Sequence, residues 1–231
     1  MDASDDQSLP ALLVALTVVT GLVDAASFLS FGHVFTANMT GNVVFLGFAL
    51  AGATELSFAR SAAALVAFAA GAVLGGRIAR RLASNARQRW IGAAFSAEAA
   101  LLIASSLACC GAGADISGAP VRIYLAIVLT AVAMGIRNAV VRKLAVPDLT
   151  TTVLTMTITG IAADSTLARG ANPAWKRRLL AVAALLAGAA LGAWLLTFAV
   201  ALPLGASAAI SGACAAVTLR RPIRPHPAAS G

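Results

Sequence analysis

The chain has 231 residues, 60% of them hydrophobic and only 11% charged, with a mean hydropathy of +0.89. Soluble domains carry about 25% charged residues, so this composition excludes a soluble globular protein. The net charge of +8 is gathered at the ends of apolar runs rather than along one face, which points to a lipid bilayer and not to nucleic acid as the partner.

The acidic start, Met1-Asp2-Ala3-Ser4-Asp5-Asp6, lacks the basic n-region of a secretory signal peptide, so the first apolar run is expected to stay as a span. Eight apolar segments follow, at 9–31, 40–53, 61–79, 90–110, 123–141, 150–163, 179–198 and 202–219. A full helical span needs about 20 apolar residues, and the second and sixth segments have only about 14. Those two are also rich in Thr, Asn or Gly, as broken or re-entrant helices are. Positions 179–219 contain no Asp, Glu, Lys or Arg, which reads as two spans joined by a tight turn.

Segment one carries Gly21-Leu22-Val23-Asp24-Ala25-Ala26 near its end, with a carboxylate inside the span. Next comes Phe35-Thr36-Ala37-Asn38-Met39-Thr40-Gly41-Asn42. Polar groups at membrane depth are expensive and usually face a cavity or another helix. Thr36, Asn38 or Thr40 is a candidate cap for a helix starting here. Glu98 lies mid-span in segment four with no obvious cationic partner. Segment five carries Gly135-Ile136-Arg137-Asn138-Ala139, and segment six opens on Thr150-Thr151-Thr152-Val153-Leu154-Thr155. Cys109, Cys110 and Cys214 read as small inert hydrophobes, and the lone His33 as a loop residue; no metal or cofactor is expected.

These stretches recur. Gly21 to Ala26 is echoed by Gly135 to Val140, and Gly71/Gly75 by Gly188/Gly192, at an offset of about 114–117 residues. Such duplication is a mark of transporters and channels whose site lies at the repeat interface. The basic residues then decide the number of crossings. With eight, nine of them fall on the wrong side; with the two short segments entering and leaving on one face, fourteen become cytoplasmic and only Arg60 and Arg122 lie outside. The expected fold is therefore an all-α polytopic membrane protein in a single membrane domain, built from two inverted repeats, 9–112 and 121–219. Each has three transmembrane helices and one short broken or re-entrant half-helix, and the tails 1–8 and 220–231 are cytoplasmic. Asp24 and Arg137 are expected to approach each other at the repeat interface.

The run Gly21 to Phe28, followed by Phe35 to Asn42, resembles the YoaK-like family of bacterial integral membrane proteins, a domain of unknown function sometimes described as predicted permeases. Gly135 to Ala139 and Thr150 to Thr155 look like that family's second signature, and the resemblance covers about 9–219. It implies an inner-membrane location and a small-molecule permease, and names no substrate. Met156 stands where a Gly would match Gly41, so the second half is the less faithful copy.

No nucleophile elbow, zinc-protease or nucleotide-binding motif is present, so an enzyme is not expected. The leading expectation is transport of a small polar or anionic solute, by a secondary transporter rather than a channel. Its path is lined by Asp24, Thr36, Asn38, Thr40, Gly41, Asn42, Arg137, Asn138, Thr151 and Thr155, with Asp24 or Glu98 as proton carrier. Free N–H groups at half-helix tips, together with Arg137, favour an anionic or neutral polar solute. The alternatives are a membrane-embedded lipid-handling protein or enzyme and a non-transporting scaffold or sensor. So thin a bundle would also suit a homodimer.

Overall fold

The computed structural model describes residues 3–82, 87–144, 154–171 and 174–220, and among these there are eight α-helices and no strand. They are α1 (Ala3–Ser30), α2 (Met39–Leu50), α3 (Phe58–Arg81), α4 (Arg87–Ala108), α5 (Pro120–Leu144), α6 (Leu154–Ala163), α7 (Trp175–Leu196) and α8 (Ala201–Leu219). Six are long and apolar enough to cross a bilayer; α2 and α6, at 12 and 10 residues, are the two short segments. Leu186, Val66, Leu107 and Phe198 point outward, as side chains solvated by lipid do.

Local chemistry sets the helix ends. Ser57 caps α3 by accepting from the Arg60 N–H at 3.3 Å, and Arg80 and Arg81 close it against the negative end of its dipole. Pro120 opens α5, where its missing N–H has no intrahelical partner to lose. Pro203 is tolerated for the same reason in the first turn of α8, so the turn after α7 falls at 197–200, just ahead of the proline.

Without a hydrophobic drive between helices in lipid, packing relies on close backbone approach at small residues. α1 packs on α7, α3 on α5 and α4 on α8, while α2 lies against α3 and α6 against α7. A Cβ on Gly21 would meet the Leu185 carbonyl and Gly188 backbone of α7; one on Gly188 would strike the Val18 carbonyl. In the other pair, Gly71 abuts the Val132 carbonyl and Gly135 the Phe68 carbonyl. The core between these pairs holds two fully buried charges, Glu98 and Arg137.

Candidate functional site

The site is assembled where the chain turns back after α1. Gly32 and His33 take left-handed conformations (φ +85° and +57°), open to glycine and costly for other residues. The Arg60 side chain lies against Gly32. The chain then returns along α1 until the Ala37 N–H donates to Asp24 Oδ1 at 3.0 Å. Asp24 is six residues before the end of α1, so α2 begins about 9 Å back from that end at 1.5 Å per residue.

Two side chains hold this return. The Phe35 N–H donates to Asn42 Oδ1 at 3.0 Å, and Asn42 Nδ2 donates to the Phe35 carbonyl at 2.6 Å. The Phe35 ring stacks between Phe28 (centroids 5.0 Å apart) and Phe45 (5.7 Å), with His33 edge-on to Phe28. Asn38 occupies the N-cap position of α2 but makes no capping hydrogen bond. The capping bond expected of this stretch is not made by Asn38; Asp24 and Asn42 instead hold N–H groups of the loop ahead of α2.

Two cavities meet at the tip of α2. The smaller, of about 390 Å³, is walled by Thr20 and Asp24 of α1, Gly41, Val44 and Phe45 of α2, Leu154 and Thr155 of α6, and Leu185 of α7. The larger, of about 740 Å³, is walled by Phe68 and Ala72 of α3 and by Asn138, Ala139, Val141, Arg142 and Lys143 of α5. Ala37, Asn38 and Thr40 line both. The N-terminal ends of both short helices therefore open on the space beside Asp24.

The sequence-predicted residues divide accordingly. Asp24, Asn38, Thr40, Gly41, Asn138 and Thr155 line the cavities. Asn42 and Thr36 are fully buried away from both linings, Asn42 as the clasp on Phe35. Thr151 lies outside the described residues.

Arg137 comes near enough to attract Asp24, as expected, but its direct ion pair is with Glu98, for which no partner was expected. Arg137 does not pair with Asp24: its Nη1 donates to Glu98 Oε1 at 3.3 Å and to the Leu16 carbonyl at 2.9 Å, and its Nη2 reaches Thr20 Oγ1 at 2.9 Å and Met134 Sδ at 2.7 Å. Glu98 therefore has a cationic partner, and also accepts from the Ser211 hydroxyl at 2.8 Å. The reason is helical geometry. Adjacent helix residues point about 100° apart at 3.6 residues per turn, so if Asn138 faces the cavity, Arg137 faces the core. Thr20 is the link between the two, lining the smaller cavity on one side and holding Arg137 on the other.

Sequence reading missed the aromatic stack and the fastening of α6. Phenylalanines at 28, 35 and 45 were a visible signal for the first. For the second, Arg178 Nη1 donates to Asp164 Oδ2 at 2.6 Å and to the Gly160 carbonyl at 2.7 Å, tying the end of α6 to the start of α7. Among the described residues no group of three or more His, Cys, Asp or Glu could hold a metal ion.

Six long apolar helices, two short ones and a polar cavity among them define a polytopic helical membrane protein. Residues 12–218 match the family described as "Protein of unknown function (DUF1275)", and the chain belongs to that family. It is 32% identical over 153 residues to the UPF0700 transmembrane protein YoaK of Bacillus subtilis (strain 168), a match spanning 66% of this chain and 65% of the relative's own length. No solved structure matches it.

Proposed function

We propose that the chain is a secondary transporter of the bacterial inner membrane, not an enzyme, and that it moves a small polar or anionic solute through the cavities at the tip of α2. The observation that carries this reading is the convergence of the α2 and α6 N-terminal ends and Asp24 on one 390 Å³ cavity, within the volume range of small-molecule sites. Half-helices ending at midplane around a polar cavity are how transporters place irregular backbone inside a bilayer.

The two halves act as inverted repeats. Exchanging α1–α4 with α5–α8 turns the α1/α7 contact into the α5/α3 contact and leaves α4/α8 unchanged. Gly21 and Gly135 correspond, as do Gly71 and Gly188, and the close approaches these four make in the α1/α7 pair recur in the α3/α5 pair. Leu185 of the smaller cavity corresponds to Phe68 of the larger, and Asp24 to Asn138. With three crossings per half the second copy is upside down relative to the first, and the distribution of basic residues supports cytoplasmic termini. Rocking of one half against the other exposes the cavities in turn, with Asp24 as proton carrier; Glu98, held by Arg137, is the second candidate.

The test is thermal stability of the purified protein against a panel of small metabolites and ions, since a ligand that binds only the folded state raises stability by mass action. A compound that stabilises the wild type but neither Asn38→Ala nor Thr155→Ala is the expected result. Equal stabilisation of all three would move the site elsewhere.

A further inference from the structure

Bare N–H groups at a half-helix tip attract anions, but this tip already has one. Asp24 accepts from the Ala37 N–H just ahead of α2, and it is the one charged residue among the described residues lining the smaller cavity. A carboxylate within a membrane span is costly unless a proton or a cation compensates it. Arg137 attracts Asp24 only from behind the wall and makes no direct contact with it, its guanidinium ending on Thr20, Glu98, Leu16 and Met134.

The rest of the lining suits a particular cation. Asn38, Thr40 and Thr155 offer side-chain oxygens as acceptors, and the Phe45 ring, stacked on Phe35, presents an aromatic wall that attracts positive charge. Several acceptors, one carboxylate and a ring match a protonated amine, whose N–H groups are donors only. The neighbouring cavity, which shares Asn38 and Thr40, has the opposite polarity: it is lined by Asn138, Arg142 and Lys143. That end repels a bare cation and suits an acid group.

Resting on the transport reading above, we infer that the solute is a small zwitterion, with its ammonium paired to Asp24 and its acid group on the Arg142–Lys143 side. When the solute leaves, a proton takes its place on the carboxylate.

The experiment uses the full chain in detergent at fixed pH, with glycine, 4-aminobutyrate, methylammonium, acetate and glycerol as probes, read by thermal stability. Wild type is compared with Asp24→Asn, which keeps an acceptor for the Ala37 N–H, and with Phe45→Leu, which leaves Asp24 intact. One of the two zwitterions is expected to stabilise the wild type more than methylammonium or acetate does. Its affinity is expected to fall about tenfold or more in Asp24→Asn, the scale of one hydrogen bond to a charged group, and to weaken in Phe45→Leu. Should Asp24→Asn fail to fold, the Phe45→Leu comparison decides. Silence from both zwitterions overturns the inference, as does zwitterion binding that neither substitution weakens. Stabilisation by acetate or glycerol alone, lost in Asn38→Ala, overturns the zwitterion but leaves the transport site standing; the absence of any probe whose binding depends on Asp24, Phe45 or Asn38 removes both.

Discussion

Arg137→Met is expected to destabilise the protein by about 3–5 kcal/mol, the cost of leaving a buried partner charge uncompensated. Arg137 and Glu98 are both fully buried, so removing the guanidinium strands a carboxylate whose only other described partner is the Ser211 hydroxyl. The Leu16 carbonyl and the Thr20 hydroxyl lose a donor in the same step. The double substitution Arg137→Met with Glu98→Leu is expected to recover much of the loss, because replacing a whole buried pair with apolar groups is often neutral or stabilising. Denaturant titration of the purified variants checks this. Equal losses in the single and double variants would mean that the Arg137 contacts to Leu16 and Thr20, and not the ion pair, hold the helices.

The second large effect lies in the glycine contacts. Gly71→Ala and Gly188→Ala are each expected to cost about 1–3 kcal/mol, since the new methyl meets backbone that can yield only if the helices part. The obstructing atom is the Val132 carbonyl in one case and the Val18 carbonyl in the other. The two losses should be similar, because the sites correspond between the halves. Gly47→Ala and Gly76→Ala are the controls: nothing lies within 4 Å of the added atom, and alanine is the better helix former by about 1 kcal/mol. Melting temperatures should drop for the first pair and hold or rise for the second.

Much of the fold was legible because membrane solvation leaves few options. Six long apolar runs became six helices, and the two short ones stayed short. The site was legible as a set of polar residues in apolar surroundings, and less so as contacts. Asn42 and Asn38 look alike in sequence, yet one is clamped on Phe35 and the other lines both cavities. That difference depends on a return loop whose path no periodicity encodes. Glu98 and Arg137 are 39 residues apart, on helices whose adjacency only the packing reveals. The nearness of Arg137 to Asp24 is legible from the neighbouring Asn138, but the helical rotation of one residue sends the guanidinium's direct contacts to Glu98.

The central claim is that a solute path opens at the tip of α2, and thiol accessibility tests it most directly. With Cys109, Cys110 and Cys214 replaced by Ala, Asn38→Cys is treated in sealed vesicles with a membrane-impermeant thiol reagent added to each side in turn, with Glu55→Cys as the surface control. Asn38→Cys should react from at least one side, because residue 38 lines both cavities. Reaction at Glu55→Cys with none at Asn38→Cys from either side would show the α2 tip to be dry and would contradict the transport account.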